Sequence, residues 1–178
     1  SRRQESFWSG PKVKFLCASY GASLALNISN TTRRLLDSPW YQNYWGERVQ
    51  IAADQDAKVR FDLLAGGSRQ STSVGGSLLG YGADVGIVDD PHNTETEKTV
   101  ETDADRNKVA SWWREFSSTR LNNPRLSSLV VVMQRLHQND LSGVILDDDS
   151  EDWVDLMIPM RHDPARHCVT VKLPRYEE

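Results

Sequence analysis

Hydrophobic positions along this chain fall into short continuous runs separated by helical stripes. Residues 13–19 (Val-Lys-Phe-Leu-Cys-Ala-Ser) are apolar enough for a central strand. From 22 to 36, Leu24, Ile28, Leu35 and Leu36 recur on one helical face. Arg33 and Arg34 in the last turn suit the negative end of the helix dipole, and Ser38-Pro39 ends the helix. Residues 40–45, Trp-Tyr-Gln-Asn-Tyr-Trp, read as a hydrophobic plug beneath a loop rather than a base-stacking surface. A strand is expected at 59–64. Residues 66–82 are rich in Gly and Ser and read as a strand pair or flexible turns. Their glycines would let backbone N–H groups approach an anion, but no Gly-x-x-x-x-Gly-Lys-Ser/Thr pattern is present.

The second half continues the alternation. Val85 to Asp89 is a short apolar run, the signature of a strand buried on both faces. A polar, acidic loop occupies 94–105. A helix at 104–121 presents Val109, Trp112, Trp113 and Phe116 on one face, with Asp103 or Asp105 at its positive end. Asn122-Asn123-Pro124 breaks it. Residues 129–133 (Leu-Val-Val-Val-Met) predict a second strand apolar on both faces, 140–146 a short helix, and 154–158 a final strand ending at Pro159. Strands alternating with helices indicate an α/β fold with a mostly parallel sheet flanked by helices.

Composition narrows the functional classes. The 178 residues suffice for one domain with a proper core. Net charge is −4, so no global basic field marks nucleic-acid binding, and any DNA contact would come from a local patch. Cys17 and Cys168 are far apart and form no CxxC, which argues against a disulfide framework or zinc site. Cys17 is expected to be a small core residue. With no stretch of about 18 apolar residues and no signal peptide, a soluble intracellular protein is the default.

The densest chemistry lies at Asp89-Asp90-Pro91-His92-Asn93, at the C-terminal end of the 85–89 strand, where open α/β sheets place ligand sites. Neighbouring carboxylates repel, so the pair is costly unless a cation or protons offset it. A Mg–nucleotide site gives such a pair a purpose: one acid holds the hydrated metal and the other orients the attacking water. A solvated Asp-Asp-Pro turn is the plain alternative. The 129–133 strand also ends in polar groups, Gln134 and Arg135. If the two strands are parallel neighbours, all four side chains converge on one rim, suited to metal binding, water activation and sensing of the γ-phosphate. A capping or salt-bridged turn is the plain alternative for Gln134 and Arg135.

A series of segments follows in order: Ala18-Ser19-Tyr20, Ser38-Pro39-Trp40-Tyr41-Gln42, Gly80-Tyr81-Gly82-Ala83-Asp84, Ile87-Val88-Asp89-Asp90-Pro91-His92-Asn93, Thr119-Arg120-Leu121, and the run from Met133 to Gly143. Together they resemble the large subunit of tailed-bacteriophage terminases, from about Lys12 to Pro159. The resemblance implies a P-loop-type, Mg-dependent ATPase that drives viral DNA packaging into the capsid. Val85 to Asp90 would be its Walker B strand, with Asp89 on Mg²⁺ and Asp90 the catalytic carboxylate where most such ATPases carry Glu. Gln134 and Arg135 fall at its coupling motif, where many relatives have Thr or Ser at the position of Gln134. His137 and Asp140 read as cap and packing residues, with Asp140 starting the next helix.

The implied cofactors are ATP and Mg²⁺. The implied partners are double-stranded DNA, the terminase small subunit and the capsid portal, with a homo-oligomeric ring when assembled. No membrane partner is expected. The location would be the host cell cytoplasm, outside the set of virion structural components. Two family parts have no counterpart in these residues. Ser1 to Pro11 carries no Gly-Lys-Ser/Thr of a Walker A loop, and the C-terminal nuclease domain has no match. Asp147-Asp148-Asp149-Ser150-Glu151-Asp152 reads as a solvated acidic loop rather than a nuclease cluster. Residues 1–160 would then be a partial ATPase domain lacking the N-terminal Walker A strand and loop. Residues 161–178 would be a tail or the start of a linker toward the nuclease. Alone, such a fragment is expected to be inactive, and apolar edges should be exposed where the Walker A strand would pair. The alternatives are a metal-dependent nuclease using Asp89, Asp90 and a third acid, or a non-catalytic assembly or DNA-binding fragment.

Overall fold

β1 (Lys14–Ser19) lies in a five-stranded sheet with β2 (Arg60–Asp62), β3 (Ser68–Ser73), β4 (Val85–Asp89) and β5 (Ser128–Val132), in the order β2-β3-β1-β4-β5. The computed structural model describes residues 10–52, 59–76, 80–92, 100, 102–148, 153–158 and 161. β3, β1, β4 and β5 are mutually parallel, and β2 runs antiparallel to β3. The helices are α1 (Ala22–Leu36), α2 (Pro39–Trp45), α3 (Asp103–Thr119) and α4 (Leu141–Leu146). The architecture is the α/β arrangement that the alternation predicts, a mostly parallel sheet flanked by helices. The chain divides into two compact units, Ser1–Asp148 and Asp149–Glu178.

Side-chain alternation explains the two helix layers. On one face, Leu16 and Ala18 of β1 align with Gly86 and Val88 of β4, and these with Leu129 and Val131 of β5. α3 covers this face with the stripe expected of it: Val109, Ala110, Trp112, Trp113 and Phe116 are all buried. The Phe116 ring sits against Gly86, where an added Cβ would lie only 2.9 Å from Cε1. Glycine therefore sets how closely α3 approaches the sheet. On the other face α1 packs on β1 and β3. There Thr32 and Leu36 share a cavity of about 460 Å³ with Phe15, Tyr41 and Arg69.

Several expectations require correction. The Gly/Ser-rich segment, read as a strand pair or flexible turns, supplies one strand, β3, a fully polar Ser-Arg-Gln-Ser-Thr-Ser run inside the sheet. Its backbone pairing with β1 and β2 outweighs its low side-chain hydrophobicity. The aromatic run at 40–45 is a helix rather than a plug. Ser38 caps α2 by accepting the Tyr41 N–H, Pro39 takes the first turn, and Trp40, Tyr44 and Trp45 stay exposed. The Ser-Pro pair that stops α1 thus also starts α2. β5, expected to be buried on both faces, is an edge strand among the described residues, with Val130 and Val132 44% and 54% exposed. α1 covers β1 and β3, leaving this corner of the face bare. Among the described residues, the outer edge of β5 is therefore unpaired and apolar. Residues 154–158 form no strand and lie exposed, Val154 at 95%. A strand needs a paired neighbour, and 154–158 pair with none among the described residues. Asn93, Cys168, residues 149–152 of the acidic run and most of the loop at 94–105 lie outside the described residues.

Candidate functional site

The C-terminal ends of the parallel strands form one rim. Its last registered row reads Ser73, Ser19, Asp89 and Val132 across β3, β1, β4 and β5. The pleat places Asp89 on the same face as Val130 and Val132, the face that α1 leaves bare at this end. The Asp89 carboxyl is held above its usual range, first by burial and then by the neighbouring charge of Asp90. A bound cation would oppose both effects, so the donor set fits a hard divalent ion held partly through water.

Asp90 follows β4 in a left-handed conformation, φ 44°. It is the sole non-glycine residue with positive φ among the described residues. Asp tolerates this region better than most residues, yet the conformation still costs energy and needs surrounding contacts to hold it. Two backbone bonds provide them. The Asp90 N–H donates to the Val132 carbonyl at 2.9 Å, and the Asp90 carbonyl accepts from the Tyr20 N–H at 3.1 Å. The turn is thereby pinned to the ends of both β5 and β1, with the Asp90 side chain exposed at the rim. Pro91 and His92 behind it are buried.

Gln134 and Arg135 lie two and three residues beyond β5 and are exposed. Because β4 and β5 are parallel neighbours in register, the four residues singled out in the sequence occupy adjacent segments of one rim. Arg135 is engaged within its own segment: its Nε lies 3.2 Å from Asp140 Oδ1 and its Nη2 donates to the Gln138 carbonyl. Asp140 organises that segment. Fully buried, it caps α4 by accepting the Gly143 N–H at 3.0 Å and also accepts from Leu136 and His137 at 2.8 and 3.2 Å. Burial would raise its pKa, but these N–H groups and Arg135 hold the carboxyl below the usual range. The expected capping role of Asp140 is therefore observed.

Sequence reasoning missed His92. The ring is 3% exposed, and its Nε2 accepts the Leu141 N–H at 3.0 Å. That bond requires the neutral tautomer protonated at Nδ1, which has no partner among the described residues. Burial lowers the His92 pKa; the Asp140 carboxylate opposes this and the Arg106 guanidinium adds to it. A lone histidine after Asp-Asp-Pro carries no periodic signal, since its partner lies 49 residues away. Cys17 is half-buried on the Asp89 face of β1. Its thiol is pushed up by burial, opposed by Arg69 and reinforced by Asp89.

Comparison with known protein families and with curated proteins found no match.

Among the described residues, no group of three His, Cys, Asp or Glu side chains is placed to hold a metal ion. A two-acid rim suits a metal whose shell is completed by water and phosphate oxygens. Among the described residues, no third carboxylate of the kind the nuclease alternative needs joins this pair.

Proposed function

We propose that this chain is part of the ATP-hydrolysing motor of a tailed-bacteriophage terminase large subunit, which packages double-stranded DNA into the capsid. The observation that carries the proposal is the parallel pairing of β4 with β5, which sets Asp89-Asp90 and Gln134-Arg135 side by side on one rim. The β5 edge, unpaired among the described residues, supports it as well, because one more parallel strand there would put a phosphate-binding loop on the same rim, across β5 from Asp89. Mg²⁺ bound with ATP supplies charge neutralisation at the phosphates. Asp89, which burial and Asp90 make a poor isolated anion, would hold that ion. Asp90, projecting from its pinned turn, would orient the attacking water and draw its proton. Its side chain is one methylene shorter than Glu, and the left-handed backbone is what would set its reach. The segment after β5 would sense loss of the γ-phosphate, with Gln134 exposed toward the rim's solvent and Arg135 braced by Asp140. In this role the partners are double-stranded DNA, the terminase small subunit and the capsid portal, in a homo-oligomeric ring in the host cell cytoplasm.

The test is ATP hydrolysis by an assembly that contains this chain together with a phosphate-binding loop. Asp89→Ala and Asp90→Ala are each expected to remove turnover. An Asp90→Ala variant that hydrolyses ATP normally would sink the proposal. Mg-dependent cleavage of DNA that requires Asp89 would favour the nuclease instead.

A further inference from the structure

We propose that His92 is a positioning residue, a strut that makes the carboxylate turn after β4 and the Gln134–Arg135 segment after β5 move as one unit. The purpose assigned to the strut rests on the ATPase proposal above; the mechanical link itself does not.

The connection can be followed atom by atom. Asp90 is joined to His92 through Pro91, whose ring locks φ and leaves little slack. The His92 ring is buried, and its Nε2 accepts the N–H of Leu141, the first residue of α4. Leu141 follows Asp140, whose carboxylate gathers the Leu136 and His137 N–H groups and the Arg135 guanidinium. One hydrogen bond and one ion pair therefore lead from the Asp90 turn to Arg135. A second tie between these regions, Asp90 N–H to the Val132 carbonyl, ends on the strand and not on the segment beyond it. A residue serving only to fill space at position 92 would be apolar. Instead a polar ring is buried with one nitrogen bonded across the site and the other without a partner among the described residues, an arrangement that costs stability. Gln at this position can place Oε1 near the site of Nε2 and accept the same bond, whereas Asn is too short to reach it.

Amide hydrogen exchange and amide chemical shifts in the 178-residue chain test the link. His92→Leu and His92→Asn should each speed exchange of the Leu141 N–H by roughly tenfold, and His92→Gln should restore it. Asp90→Asn should shift the Leu136, His137 and Gly143 amides in the parent chain. It should not do so with Leu or Asn at position 92, and should again with Gln. Unchanged Leu141 exchange, or shifts that persist without the acceptor, would overturn the strut. Should the Leu variant fail to fold, the Asn–Gln pair decides the matter alone. In an ATP-hydrolysing assembly, His92→Asn should lower kcat about tenfold with KM for MgATP within about twofold, and His92→Gln should recover most of kcat. If Asp90→Ala retains turnover, the ATPase proposal falls while the exchange data still decide the link. If Asp90→Ala is inactive and His92→Asn keeps full kcat, the strut has no role in the motor.

Discussion

Replacing Asp140 with alanine should unfold the segment after β5 at a cost that can be worked from its contacts. The carboxylate accepts three backbone N–H groups, from Leu136, His137 and Gly143, and has no exposed surface. Loss of the α4 cap alone costs about 1 kcal/mol. The Leu136 and His137 N–H groups, which are only part-buried, recover water incompletely and add about 1 kcal/mol each. The Arg135 contact adds little, because that side chain is 44% exposed. Together these amount to about 3 kcal/mol, or a fall in Tm of roughly 6–12 °C for a domain of this size. Urea and thermal unfolding, followed by the fluorescence of the six tryptophans, would measure it. Asp140→Asn keeps one acceptor oxygen and should lose about half as much. The sign of the pH effect follows from the lowered pKa. The stabilisation is present above the unfolded value of 3.8 and is lost as pH falls through the folded value. Asp140→Ala should therefore also flatten the acid limb of the stability curve. A loss below about 1 kcal/mol with an unchanged acid limb would refute this account of Asp140.

Other outcomes follow from the same structure. His92 is held neutral when folded, so its stabilisation should be full above about pH 6.5 and decline as pH falls through the lowered folded value; His92→Gln should remove that decline in urea titrations. Gly86→Ala should cost about 1–3 kcal/mol by overpacking, since the new methyl would meet Leu129 at 2.7 Å and Phe116 at 2.9 Å; a neutral result would mean that α3 shifts freely. Val132→Lys should change stability by less than about 0.5 kcal/mol and raise solubility, because this valine lies on an uncovered face; a large loss would show that face to be packed. Asp90→Gly should leave stability unchanged or raise it by up to about 1 kcal/mol, and a clear loss would show that the carboxylate itself holds the turn.

Much of this fold was legible because its elements announce themselves locally. α1 spans residues 22–36 as its periodicity requires, and the buried stripe of α3 is the one its spacing predicts. β4 ends at Asp89 as its apolar run indicates, and Asp140 caps α4. The failures share a cause. β3 has no apolar pattern, so strand pair and flexible turns stayed open for its segment; pairing with β1 and β2 decides for one strand, and pairing is not visible from one segment. Leu-Val-Val-Val reads as buried on both faces, but burial depends on what lies beside and above the strand, and here that corner of the sheet is bare. The aromatic run was misplaced because Ser-Pro serves both to stop one helix and to start the next.

The sequence by itself determined the α/β class, the positions of most elements and the two acids at the end of an apolar strand. These depend on periodicity and on neighbours within a few residues. Only the tertiary structure decided that β4 and β5 are adjacent, that Asp90 is held at positive φ by bonds to β1 and β5, and that Arg135 is engaged by Asp140. It also decided that His92 spans 49 residues to reach α4. Hydrogen bonds and burial across a sheet join segments distant in the chain, so no local pattern encodes them. Asp89 and Asp90 are therefore recognisable as acids in the sequence, but become a shared rim with Gln134 and Arg135 only once the strands are ordered.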